Sequence, residues 1–180
     1  MPMRIPPPSP YDHLPAVASF SLTSINFSDG AALPRAQMSG IFGAGGEDAS
    51  PQLSWSGQPE ATQSFAVTCL DLDAPTGVGF WHWLLTDIPA DVTELALGAG
   101  SADGAGLPAG ARHWRNDAGL AQYLGSAPPE GDGEHRYLFA VNALSVPRLE
   151  VPDDVMPGML GFNIVATTIG RGVITGTTKR

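Results

Sequence analysis

The chain has 180 residues, a length that fits one domain and buries roughly 70% of the unfolded surface on folding. Its net charge is −9, from 9 basic and 18 acidic residues, which leaves no basic footprint for nucleic acid or for an anionic membrane surface. With 22 Gly and 17 Pro and only 15% charged residues, the composition argues against a helical bundle and for many short elements joined by fixed turns.

In chain order, residues 1–17 read as a proline-rich arm with one helical turn near Tyr11–Leu14, and residues 18–180 as a single domain. Ser19 to Asn26 alternates weakly and ends in a turn at Asp29-Gly30. Gly40 to Ser50 is a glycine-rich loop, followed by a short strand entered through Pro51 that carries Leu53 and Trp55. The clearest strand is Ser64 to Leu70, with Phe65, Val67 and Cys69 on one face and Ser64 and Thr68 on the other. Phe80 to Asp87 is apolar on both faces, as a central strand should be, and Ile88-Pro89 ends it.

Val92 to Arg112, with five glycines, reads as a long surface loop. A third strong strand runs from His135 to Leu144. One helix is expected, from Asp153 or Asp154 through Met159, Phe162, Asn163, Val165, Ala166 and Ile169, with Gly170 and Gly172 ending it before a short strand at Val173-Ile174. The fold class is therefore mostly β with one C-terminal helix.

Cys69 is the sole cysteine and Lys179 the sole lysine, so an intrachain disulfide, a Cys-rich zinc site and a buried Schiff-base lysine are excluded. No secretory signal and no run of about 18 apolar residues is present. The expectation is a cytoplasmic protein that does not span a membrane.

Polar groups stand out where apolar strand faces end. Asp71 continues the face of Phe65, Val67 and Cys69, with Asp73 beyond it. A buried carboxylate must be paired, hydrogen-bonded or protonated, and the alternative is an Asx-turn at a strand end, for which Asp71-Leu72-Asp73-Ala74-Pro75 is good chemistry. His82 lies between Trp81 and Trp83 and shares a face with Phe80 and Leu84. His135 and Tyr137 head the stripe of Phe139 and Val141, while Arg136 points the other way, toward a structural ion pair. Three chemistries could use this set: a metal site, an Asp–His general base, or an anion pocket with His, Tyr and backbone N–H donors. The two His are 53 residues apart, unlike the tight pairs of metal sites, and no Ser stands in a nucleophile elbow.

Several motifs occur in one order. They are Ser50-Pro51 with Leu53 and Trp55, Asp71-Leu72-Asp73-Ala74-Pro75, Gly79-Phe80-Trp81-His82-Trp83, Tyr123-Leu124-Gly125-Ser126-Ala127-Pro128-Pro129, and Gly133-Glu134-His135-Arg136-Tyr137. From residue 18 to 176 this series resembles the phosphatidylethanolamine-binding protein family, which includes the Raf kinase inhibitor proteins. Trp81-His82-Trp83 and Asn116-Asp117-Ala118-Gly119 resemble its bacterial and archaeal branch.

The resemblance implies a β-sandwich with a central Greek-key antiparallel sheet, a smaller sheet and a C-terminal helical region. It implies a shallow anion pocket formed by Asp71, His82, His135 and Tyr137 over a floor of Ala127 to Pro129, with Asp73, Pro75, Trp81, Trp83 and Arg136 behind. The function implied is non-enzymatic binding of phosphate or a phosphoethanolamine-type phospholipid headgroup, without cofactor or metal. His135, Tyr137 and the backbone near Ala127 would donate to the phosphate, and Asp71 would orient His82 or accept the ammonium. Alternatives are a kinase or protease inhibitor that acts through its surface with the pocket as switch, and a small hydrolase. A homodimer is also left open. Two departures stand out: Leu72 replaces the family's usual Pro, which frees a backbone N–H and should loosen the turn, and Ala127 adds a methyl at the pocket floor.

Overall fold

The structure is a computed structural model that describes residues 7–180. Its strands are β1 (Ala18–Ser19), β2 (Ser21–Thr23), β3 (Leu53–Ser56), β4 (Ser64–Asp71), β5 (Phe80–Pro89), β6 (Glu94–Leu95), β7 (Arg112–His113), β8 (Glu134–Leu144) and β9 (Thr168–Lys179), with one helix, α1 (Pro157–Thr167). They form a six-stranded sheet in the order β1-β9-β8-β4-β5-β7 and a three-stranded sheet in the order β2-β3-β6. All pairings are antiparallel except β1 with β9. The mostly-β class and the two-sheet architecture are as the sequence predicts.

β4 is central, and all eight of its residues are buried. Phe65, Val67 and Cys69 meet Phe139 and Val141 of β8, Trp83 and Leu85 of β5, and Leu22, Leu53, Trp55 and Leu95 of the small sheet in one core between the sheets. On the outer face Ala66, Leu84 and Leu144 pack with Trp114 and with Leu160 and Ile164 of α1. Full burial of these large side chains is the main stabilising term, roughly 1.5–3 kcal/mol apiece.

The C-terminal region differs from expectation. Asp153 and Asp154 lie in a turn, and α1 starts at Pro157, whose missing N–H costs nothing at a helix N-terminus. It ends at Thr167, where the hydroxyls of Thr167 and Thr168 take the carbonyls of Asn163 (3.0 Å) and Ile164 (2.6 Å). Gly170 and Gly172 are not helix stops but members of β9, a 12-residue strand along β8. Periodicity misassigned them because their role is close approach. A Cβ on Gly172 would stand 2.9 Å from Leu22 Cβ, and one on Gly176 would strike Leu33.

Residues 92–112 are likewise not a free loop. Leu95 pairs with Leu53, Leu95 and Ala99 are buried, and the N–H of Gly100 donates to Ser50 Oγ at 2.8 Å. In the arm, a 3-10 turn spans Pro10–His13, and residues 1–6 lie outside the described part. Among the described residues no helix is long and apolar enough to cross a membrane.

Candidate functional site

β5 carries a register shift that places His82. Trp83 opposes Cys69 but Trp81 opposes Leu70, so two steps on β5 match one step on β4, and His82 is the extra residue of a β-bulge. Alternation along the strand therefore breaks at His82. Trp83 lies in the core between the sheets, whereas Trp81 packs on the helix side, where a Cβ on Gly161 would meet its ring at 3.4 Å. His82 shares its face with Phe80 (5.0 Å between ring centroids) and Tyr137 (5.1 Å), as predicted for Phe80. It does not share one with Leu84, which belongs to the outer cluster.

The bulge is held by a loop that follows β7. The N–H of Trp81 donates to the Asp117 carboxylate at 2.8 Å, and Asn116 Nδ2 donates to the His82 carbonyl at 3.3 Å. His82 Nδ1 donates to the Leu124 carbonyl at 2.9 Å, since a carbonyl can only accept. Burial lowers the His82 pKa, only partly offset by the Leu124 carbonyl and the Asp71 charge. The ring is therefore neutral at pH 7.

Asp71 fulfils both sequence readings. One carboxylate oxygen accepts the Asp73 N–H at 2.9 Å, closing an Asx-turn, and the other accepts His135 Nδ1–H at 2.9 Å. Asp71 thus orients His135, not His82, because its strand partner is Tyr137 of β8 and His135 lies next along that face. Asp73 accepts Arg136 Nε at 2.8 Å, Nη2 at 2.9 Å and the Arg136 N–H at 2.9 Å, the ion pair predicted for Arg136. Burial alone would raise the Asp73 pKa, but the Arg136 bonds outweigh it and hold the carboxyl below its ordinary value. Leu72 does not loosen the turn: its N–H donates to the Arg136 carbonyl at 2.9 Å, a bond that Pro could not make.

His135 is buried between two carboxylates. Nδ1 meets Asp71, and Nε2 meets Asp132 at 3.0 Å. Burial alone would lower its pKa, but the hydrogen bonds and charges of Asp71 and then Asp132 raise it above the ordinary imidazole value. Protonated His135 therefore already spends both N–H groups on the protein.

Tyr137 is buried beneath the cavity, and its hydroxyl has no hydrogen-bond partner in bonding geometry among the described residues. Its pKa is held far above the phenol range by burial first, then by the charge and acceptor oxygen of Asp71, and the Ala127 backbone N–H faces it and acts in the opposite direction. Cys69, behind Asp71, is an inert thiol, its pKa pushed well up by burial and by Asp71.

These groups meet at a shallow cavity of about 150 Å³ lined by Phe42, Asp71, Ala74, Pro75, Thr76, Phe80, His82, Ala127, Pro129 and His135. Asp71, His82, Ala127, Pro129 and His135 line the cavity as expected, whereas Tyr137, expected among them, is buried and does not line it. Pro75 is in the wall rather than behind it. Trp83 lies in the core between the sheets and donates its indole N–H to His113 Nε2 at 3.1 Å, and burial lowers the His113 pKa to about 4. Trp81 faces away. Among the described residues no three His, Cys, Asp or Glu side chains converge in a metal-holding group.

Sequence reasoning did not place Phe42, Ala74, Thr76 and Phe80 in the lining, nor Asp48 and Asp132 behind it. Asp48 sits at φ 52° and ties the Gly40–Ile41 amides (2.8 and 2.9 Å) to the Gly125 N–H (2.8 Å), which seats Phe42 beside Ala127. An Asp closing a glycine-rich loop was the available signal. Asp132, between Gly131 and Gly133, carries only a turn signature in the sequence.

A model of the phosphatidylethanolamine-binding protein family matches residues 23–179. The UPF0098 protein YbcL of Escherichia coli K12 is 44% identical over 158 residues, 88% of this chain and 86% of YbcL. The UPF0098 protein YbhB of the same strain is 41% identical over 154 residues, 86% of this chain and 96% of YbhB. The crystal structure of E. coli YbcL, described as a new member of the mammalian PEBP family, superposes with a TM-score of 0.87 at 42% identity, covering 91% of this chain and 99% of that one. A putative family homologue from Chlamydia trachomatis superposes with a TM-score of 0.73 at 28% identity, covering 90% and 98%. With a family model over nearly its whole length, and relatives above 40% identity that share its fold, the chain belongs to the phosphatidylethanolamine-binding protein family.

Proposed function

We propose that the protein is a non-catalytic binding protein whose cavity takes a phosphate monoester, with a zwitterionic headgroup such as phosphoethanolamine preferred over free phosphate. The observation that carries this reading is the buried Tyr137 hydroxyl, which no described residue engages in bonding geometry although the Asp71 carboxylate and the Ala127 N–H both face it beside the cavity. A buried hydroxyl left unpaired costs about 1–3 kcal/mol, and a ligand oxygen that accepts its proton recovers that cost.

The charge balance supports a zwitterion. Asp71 and Asp132 flank one imidazolium and His82 is neutral, so a bare anion meets net negative charge. An ammonium group on the ligand answers the carboxylates while its phosphate takes the Tyr137 and Ala127 donors. Exposed Ile41 and Phe42, and Val78 at the tip of the loop bearing Thr76, give the mouth an apolar rim suited to an amphiphile. Binding rather than turnover is supported by the nucleophile census at the site. Cys69 is buried with a raised pKa, and the buried Ser126 hydroxyl is bonded to Thr178 at 2.7 Å.

Titration of ¹⁵N-labelled protein with phosphoethanolamine, phosphate and acetate tests this. Expected are saturable shifts at Ala127, His135 and Tyr137, strongest with phosphoethanolamine, with a Kd near millimolar, or about −4 kcal/mol. No saturable shift at these residues with any phosphate compound overturns the proposal.

A further inference from the structure

A second cavity lies on the far side of the central sheet, about 330 Å³ in volume, between the arm, β1 and Arg171 of β9. Arg171 is buried, at 8% exposure. Its Nε donates to Asn142 Oδ1 at 2.8 Å, and the Tyr11 ring stacks on its guanidinium at 4.4 Å. Guanidinium carries five N–H donors. Among the described residues only the Nε donor is taken, and no carboxylate lies within ion-pair distance. Arg112, Arg136, Arg148 and Arg180 each face an Asp or Glu, and all four are more exposed than Arg171. Consistent with this, burial lowers the Arg171 pKa, and only the Tyr11 phenol, not a carboxylate, works against it.

A buried cation without a counter-charge is costly unless something supplies the missing acceptors. With Nε fixed by Asn142 and one face covered by Tyr11, the remaining guanidinium edge is a rigid two-pronged donor at a cavity wall. That geometry matches a planar carboxylate, which takes two parallel N–H···O bonds. A monocarboxylate also neutralises the single positive charge, whereas a phosphate dianion would add net negative charge to a chain already at −9. The rest of the lining mixes the polar Ser19 and strand backbone with the apolar side chains of Val17, Phe20 and Val173, against which a short tail can lie.

We infer that the Arg171 cavity is a second ligand site, separate from the Asp71–His135 cavity, that binds a small organic carboxylate with an apolar tail.

The test is titration of the ¹⁵N-labelled full chain with butyrate and acetate at constant ionic strength, compared with Arg171→Met and Arg171→Lys. Expected are saturable shifts at Ser19, Val173 and the Arg171 Nε–H, tighter for butyrate than for acetate, with Ala127 unmoved. Binding should be lost in Arg171→Met and weakened at least five-fold in Arg171→Lys, which keeps the charge and the stem but loses the fork. If Arg171→Met does not fold, Arg171→Lys decides. Absence of saturable shifts in the wild type, or unchanged affinity in Arg171→Lys, overturns the inference. Shifts confined to Ala127 and His135 overturn it as well, since they would place the carboxylate in the phosphate cavity.

Discussion

Removing the Asp73 carboxylate tests the frame that holds the site. Asp73 accepts three hydrogen bonds from Arg136, and its side chain is 7% exposed against 32% for Arg136. Breaking a fully buried pair costs about 3–5 kcal/mol and an exposed one at most about 1 kcal/mol. With one partner buried and the other a third exposed, Asp73→Ala is expected to cost about 2–3 kcal/mol at pH 7, between those limits. At about 2–4 °C per kcal/mol for a domain of this size, Tm should fall by roughly 4–12 °C.

The pH dependence follows from the direction of the shift. The folded-state pKa of Asp73 is depressed, so its contribution is fully present above the unfolded carboxylate value near 4 and is lost as pH falls through the depressed value. Arg136, whose pKa is raised by the Asp73 bonds, stays charged throughout. Urea unfolding of wild type and Asp73→Ala at pH 7 and at successively lower pH measures the gap, and carboxylates common to both cancel. A gap below 1 kcal/mol at pH 7, or one that does not narrow on acidification, refutes the reasoning.

Three further outcomes are expected. Asp132→Asn removes a negative charge from beside His135 Nε2, so the affinity for free phosphate should rise about five- to ten-fold, roughly 1 kcal/mol at a partly exposed site, and the preference for phosphoethanolamine should narrow. An unchanged or weaker Kd by NMR contradicts this. Tyr137→Phe deletes an unsatisfied buried hydroxyl, so stability in urea should hold or rise by up to about 1 kcal/mol while phosphate-induced shifts at Ala127 disappear; loss of both together would mean a structural role only. The two site imidazoles should titrate on opposite sides of 6.5, His82 below and His135 above, in ring ¹⁵N spectra. Correspondingly, the His135 pairing contributes stability below the unfolded value that is lost as pH rises through its raised pKa. His82 resists protonation in the fold, so it costs stability as pH falls below its unfolded value.

Much of the site was legible because period-2 alternation fixes which side chains share a strand face. Phe65, Val67, Cys69 and Asp71 form one stripe, and His135, Tyr137, Phe139 and Val141 another, so the polar ends converge once β4 and β8 pair. His82 was correctly placed beside Phe80, but the bulge that aims it leaves no trace in the sequence: Trp81-His82-Trp83 reads as plain alternation, and the break in register depends on β4 and on Asp117, 36 residues away. β9 was hidden because Gly170, Gly172 and Gly176 allow close approach of Pro59, Leu22 and Leu33 respectively, a tertiary constraint that local propensity scores as helix termination. The Asp71 partner was misjudged for a related reason, since choosing between His82 and His135 requires the strand register. Asp132 was missed because a turn carboxylate gains meaning only when the turn folds back over an imidazole.

The most direct test of the phosphate site is a crystal structure of the protein soaked with phosphoethanolamine. Expected is a phosphate within hydrogen-bonding distance of the Ala127 N–H and Tyr137 Oη, with the ammonium group against Asp71 or Asp132. A cavity left empty at saturating ligand, or a phosphate bound only elsewhere, would contradict it.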